Sequence, residues 1–219
     1  VKAIGNIYLA WRSGKGSRRI LVGVIKRSVT KKTRFYYLQE GLAEAAKYGF
    51  TCYEGFPDTQ KDRVYTDNVI EIFGQRITRS DRNDIGDFYR FWKIKPEYKH
   101  DNYYMLAYTQ GLLPIDNFEF LADFNPVAGL EFVTELAGLS TINPQPDSIA
   151  VGDTLSYQLD PKNECDPYSV KVYKGDLLLG YIKKVHSKVF HRSKQTLRIT
   201  VQHIERNGKL NRVFLSLGY

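Results

Sequence analysis

At 219 residues, 42% hydrophobic and 26% charged, the chain is long enough for one large core or two smaller ones and has the balance of an ordinary globular protein. No apolar run approaches the ~18 residues of a membrane span and no signal-peptide pattern opens it, which argues against a membrane partner. Cys52 and Cys165 lie far apart without metal-ligand spacing, so a reducing cytoplasm is the expected setting. A net charge of +8 favours an anionic partner without identifying it.

In chain order, Ile7–Trp11 and Ile20–Arg27 read as two strands joined by Ser13-Gly14-Lys15-Gly16-Ser17. This glycine-rich link lacks the order of a phosphate loop and leads into a strand, so a hairpin turn is expected. Phe35–Tyr37 reads as a third strand, and Glu40–Tyr48 as a helix stopped by Gly49. Cys52–Asp58 is an aromatic loop holding Phe56-Pro57. Asp67 is placed to cap a helix carrying Val69, Ile70, Phe73 and Ile77 at helical spacing. Ser80 or Asp81 is placed to cap the next, with Ile85, Phe88, Phe91 and Trp92 on one face. Tyr103–Thr109 reads as a short helix and Asn117–Leu121 as a returning strand. Strands followed by a helical cluster predict an α+β domain over residues 1–125, with a small sheet and helices.

The second half opens with Phe132–Leu139 as a strand and a proline-containing connection over Asn143–Gly152. The stretch GDTLSYQLDPKNECDPYSVKVYKGDLLLGYIKK, Gly152–Lys184, then organises everything around it. Leu155, Tyr157 and Leu159 alternate with Thr154, Ser156 and Gln158, the pattern of a half-buried strand. Asp160-Pro161-Lys162-Asn163 carries turn chemistry. Ser169–Tyr173 alternates again, Lys174-Gly175-Asp176 turns the chain, and Leu177–Ile182 is a third strand. Gly180 inside it marks a bulge, a corner or a close backbone approach. Lys183–Arg192 reads as a short helix across a barrel mouth. Gln195–His203 alternates, Asn207-Gly208 is a hairpin turn, and Val213, Leu215 and Leu217 close the set. Five or six strands and one short helix predict a partly open all-β barrel over 126–219.

The pattern DPxN, then DPxxVxV, then LGYIKK resembles the HIRAN domain. That resemblance implies an OB-like barrel that binds single-stranded DNA and, in a helicase-like member, a free 3′ end. Carried over position by position, the family's end-binding pocket falls on Asn163, Asp166, Tyr181 and Lys184. In that pocket a carboxylate accepts from a 3′-hydroxyl, a lysine neutralises a phosphate and a tyrosine stacks a base. Asn163 and Asp166 are equally good turn formers. The sequence departs from the family at Ser140 and Thr141, where the helicase-like member has Arg and Tyr, and at Cys165, where it has an aromatic residue. More faintly, the aromatic loop followed by VYTDNVIEIFGQRITRS resembles the N-terminal subdomain of HipA-type serine/threonine kinases and the antitoxin subunit that corresponds to it. That implies a domain docking on a separate kinase, with Phe56 as its contact.

Charge is unevenly spread. Residues 12–34 hold nine Lys/Arg and no acid, and 183–212 hold nine against Glu205 alone. The first run reads as a solvated face or an anion-binding one. The second adjoins the motif and favours nucleic acid through Lys183, Lys184, Lys188 and Arg192. His186 and His191 are five apart, off a common helical face, so no metal or other cofactor is expected. Asp81, Asp84 and Asp87 fit a solvated face or a cap, and no nucleophile has a paired base. The expectation is a protein that is not an enzyme, with DNA, single-stranded or as 3′ ends, as its partner. The alternative is an antitoxin-like regulatory subunit binding a HipA-family kinase.

Overall fold

The computed structural model describes residues 2–78 and 81–219. It divides into two compact units, Ile4–Asp123 and the segment from Phe124 to Tyr219 together with residues 2–3.

The first unit is built on a four-stranded antiparallel sheet of β1 (Ile4–Trp11), β2 (Ile20–Arg27), β3 (Thr33–Tyr37) and β4 (Phe118–Phe124), in the order β3-β2-β1-β4. The link between β1 and β2 is a turn. Gly14 N–H donates to Ser17 Oγ at 3.0 Å, and that hydroxyl donates back to Gly14 O at 2.7 Å. Helix α1 (Gln39–Ala46) lies so close on β2 that a Cβ at Gly41 would sit 1.8 Å from Leu21 O. Helices α2 (Val69–Gly74), α3 (Ile85–Phe91) and α4 (Asn102–Thr109) follow. The cap expected at Asp67 is instead Asn68, held left-handed at φ 51° with no side-chain hydrogen bond into the helix. Helix α3 is preceded by Asp84 rather than Asp81, and the alternative cap Ser80 lies outside the described residues. Its expected apolar face is only half-buried, and Trp92, just past its end, is the one member that reaches the core. Asp101 caps α4 through the Tyr103 and Tyr104 amides and pairs with Arg27 at 2.7 Å.

The core of this unit is aromatic. Phe35 packs on Tyr37, Phe56 and Phe73, and Phe73 reaches Tyr53 and Phe120. Tyr37 ties the loop down, donating to Phe56 O at 2.7 Å while accepting from Tyr53 N–H at 2.8 Å. Phe56 is therefore 1% exposed, which corrects its reading as a partner contact. The aromatic loop folds inward, and one buried hydroxyl satisfies two of its backbone groups.

The second unit is a closed six-stranded antiparallel barrel of β5 (Glu131–Ala137), β6 (Thr154–Asp160), β7 (Ser169–Lys174), β8 (Leu177–Ile182), β9 (Arg198–Arg206) and β10 (Leu210–Gly218), in the order β10-β5-β8-β7-β6-β9. Two short helices accompany it, α5 (Leu139–Ile142) and α6 (Lys188–Arg192). The sequence predicted a partly open barrel. It closes because β6 also pairs with β9, through Thr154↔Thr200 and Leu155↔Ile199. Val170, Val172, Leu179, Ile199, Val201, Val213, Leu215 and Leu217 are all buried, as the alternation predicts. Gly180 is the expected close approach, since a Cβ there would lie 2.4 Å from Ala137 O. The helix predicted over Lys183–Arg192 shortens to α6, because Val185, at φ 78°, turns the chain left-handed first.

Candidate nucleic-acid interface

The β6–β7 loop is a self-bonded turn. Asn163 Oδ1 accepts from the Cys165 and Asp166 amides at 3.0 and 3.1 Å, and its amide donates to Asp160 at 3.2 Å. Asp166 Oδ1 accepts from Tyr168 N–H at 3.0 Å, and its carbonyl from Ser169 N–H at 2.9 Å. The turn-forming role weighed for Asn163 and Asp166 is thus present. It fixes the Asp166 carboxylate in a half-buried position at the barrel rim.

From this turn a row of polar groups runs across the barrel's outer face. Lys171 Nζ lies 3.0 Å from Asp160 Oδ2. Lys171 stands opposite Gln158 on β6 and opposite Tyr181 on β8, and Tyr181 stands opposite Ala137 on β5. Directly opposed residues share a face, so Gln158, Lys171 and Tyr181 line one surface. The Lys171 ammonium and the Asn163 amide hold the Asp160 carboxyl below its ordinary value, while Asp160 raises Lys171, so both stay charged. Beyond Tyr181 comes Gly138, where a Cβ would meet the tyrosine ring at 3.1 Å. It opens α5, whose Ser140 and Thr141 are exposed. The structure therefore brings Asn163, Asp166 and Tyr181 onto connected ground, with Ser140 and Thr141 just past the tyrosine.

The adjacent lysines part company. Lys184 is exposed in the turn after β8. Lys183 has a fully buried side chain whose ammonium lies 3.1 Å from Glu135, and Glu135 also takes Arg212 at 3.0 Å. Lys183 is thus corrected from a phosphate contact to a buried ion-pair member. Arg192 is exposed, but its guanidinium donates to Phe124 O at 2.6 Å and to Asn125 at 3.3 Å, bracing the chain before β5. Lys188 Nζ sits 5.6 Å over the exposed Tyr168 ring, and His191 meets the same ring edge-on. His186 is buried between Phe124 and Phe132 and bonded to Thr134 at 2.8 Å. Sequence reasoning passed over Asp160, Lys171 and Tyr168. The outward phase of β7, which carries Lys171 beside Tyr173, was the signal that could have found Lys171.

The first unit holds a separate cavity of about 270 Å³ lined by Tyr53, Glu54, Arg76, Asp116 and Phe118 among others. The Arg76 guanidinium there is engaged by Asp116 at 2.8 Å and by Gly111 O at 2.8 Å.

No family model matches the chain, and no curated protein does. Solved structures do. The HIRAN domain of human HLTF is 15% identical, with 40% of this chain and 74% of that one covered and a TM-score of 0.32. A Lactobacillus plantarum protein solved by a structural genomics consortium is 17% identical, with 42% and 96% covered and a TM-score of 0.31. Among the described residues no helix is long and apolar enough to cross a membrane.

Proposed function

We propose that this is a non-catalytic DNA-binding protein whose barrel engages single-stranded or end-containing DNA. The reading is supported above all by the continuous polar surface that runs from the Asn163–Asp166 turn through the Asp160–Lys171 pair to Tyr181. The fixed carboxylate of Asp166 accepts a hydrogen bond from a terminal 3′-hydroxyl and repels a 3′-phosphate. Tyr181 stacks a base and Lys184 neutralises the neighbouring phosphate. Ser140 and Thr141 supply neither cation nor ring next to Tyr181, so binding is weaker than a site with both, by about 1–3 kcal/mol for each stacked base forgone.

The test is fluorescence anisotropy with three labelled DNAs over a salt series: a strand ending in 3′-hydroxyl, the same strand ending in 3′-phosphate, and a blunt duplex. Preference for the 3′-hydroxyl strand, abolished by Asp166→Ala, supports end recognition. Equal binding of all three with a marked salt slope supports general backbone binding instead. No binding at physiological salt refutes the proposal. The kinase-docking alternative has lost its anchor, since Phe56 lies in the core.

A further inference from the structure

Three tyrosines of the first unit stack face to face. The Tyr104 and Tyr108 rings lie 4.1 Å apart at 18°, and the Tyr98 and Tyr104 rings 4.5 Å apart at 25°. Most ring pairs in this unit's core meet edge-on or tilted, so near-parallel stacking repeated over three rings is a local departure. The ladder starts in the core, where Tyr104 and Tyr108 are 5% and 3% exposed, and ends at the surface, where Tyr98 is 41% exposed. Tyr104 stacks on one face of Tyr98, and Tyr98 remains 41% exposed.

The charges around that face are set by a short 3-10 turn, Pro96–Tyr98. Pro96 fixes the entry to the turn, and Lys95 and Lys99 flank it. Both lysines are exposed and, among the described residues, neither makes an ion pair. His100 is exposed beside them. The acids nearby are Glu97, also exposed, and Asp101, which is engaged by Arg27 and the α4 amides. An exposed ring on a short turn that has a lysine at each end in sequence fits a planar ring joined to an anion, which is the chemistry of a nucleobase on its phosphodiester.

We infer that Tyr98 is a stacking platform for a nucleobase of single-stranded nucleic acid, with Lys95 and Lys99 contacting the flanking phosphates. It belongs to the first unit and uses none of the barrel residues, so it is a second contact point on the chain. Tyr104 and Tyr108 hold the platform ring in place, so little side-chain freedom is lost when a base adds to the stack.

The experiment uses the full chain with a labelled oligothymidine carrying photoreactive 5-iodouracil. Mass spectrometry of the crosslinked peptides is expected to find Tyr98. Tyr98→Ala is expected to weaken binding by about 5- to 150-fold, the range of losing one stacked base, while Tyr98→Phe stays within about twofold. Lys95→Gln with Lys99→Gln keeps the ring and is expected to flatten the salt dependence. Thermal unfolding of each variant checks that the ladder variants are folded. Crosslinks confined to barrel residues, or equal affinity for Tyr98→Ala and the parent, overturn the platform and leave the barrel reading standing. Crosslinks at Tyr98 that survive Lys184→Ala and Asp166→Ala, with affinity unchanged by those substitutions, overturn the barrel reading and leave the platform. No crosslink anywhere overturns both.

Discussion

Lys183 and Lys184 are the same residue type at neighbouring positions, yet they do opposite things. Lys183 meets Glu135 with its side chain fully buried, and Lys184 is left in solvent. Removing Lys183 strips a buried carboxylate of a cation, so Lys183→Met is expected to cost about 3 kcal/mol in urea unfolding. Lys184→Ala is expected to stay within ~0.5 kcal/mol of the parent while lowering affinity for DNA. Asp101 carries a pH signature. Burial opposes its charge, but the Arg27 guanidinium and the Tyr103 and Tyr104 amides outweigh that and hold its carboxyl below the ordinary value. A carboxyl lowered on folding contributes stability that is full above its unfolded value of about 3.9 and is lost as pH falls through the folded value. Asp101→Asn is expected to flatten the acid limb of the stability curve below about pH 4, a change that urea melts at successive pH values would read.

At the scale of elements, the seam between β5 and β8 is short, consisting of Leu136↔Ile182 and Ala137↔Tyr181. Gly180 lets the two strands approach, and Gly180→Ala places a methyl 2.4 Å from a backbone oxygen that has nowhere to go. Expected are a loss of at least ~1–3 kcal/mol and a fall in DNA affinity, since the same seam seats Tyr181. Stability and anisotropy on one preparation would show whether the two move together. The glycine was legible in sequence only as a bulge, a corner or a close approach, and the structure selects the close approach. The strands themselves were legible through their alternation: Leu155, Val170, Val172 and Ile199 keep period two. Barrel closure was not, since β6 and β9 meet through two residue pairs far apart in the chain and neither strand's pattern encodes its second neighbour. Phe56 was misread because its partners, Phe35, Tyr65 and Phe73, come from separate elements, and a Gly-Phe-Pro loop carries no periodicity to point inward. The choice between Lys183 and Lys184 was hidden too, because Glu135, which Lys183 meets, lies on β5, far away in sequence.

For the whole molecule, the nine Lys/Arg of each basic run overstate the free cations a polyanion would meet. In the first basic run Arg18 pairs with Glu44, Arg19 with Glu119 and Arg27 with Asp101. In the second, Lys183 and Arg212 share Glu135, while Arg192 and Arg206 donate to backbone carbonyls. Lys184, Lys194, Arg198 and Lys209 are left exposed and, among the described residues of that run, without an ion pair. Each phosphate neutralised on a single strand contributes about 0.7 to the slope of log affinity against log salt. A slope of roughly −2 to −3 is therefore expected for the barrel's contacts, rather than the roughly −6 that nine free cations would give. Anisotropy titrations across a tenfold salt range would separate these values.

The pairing of β10 with β5 sets Gly218 against Glu131, joining the first strand of the barrel to its last. During synthesis β5 leaves the ribosome long before the partner that will flank it, and β9 likewise waits for β10 on one side. Until then the nascent unit has two unprotected rims, each a template for a neighbouring chain. A folding route that must hold out for its final strand is slow and exposed to misassembly. The barrel is therefore expected to close last, when β10 takes its place between β5 and β9.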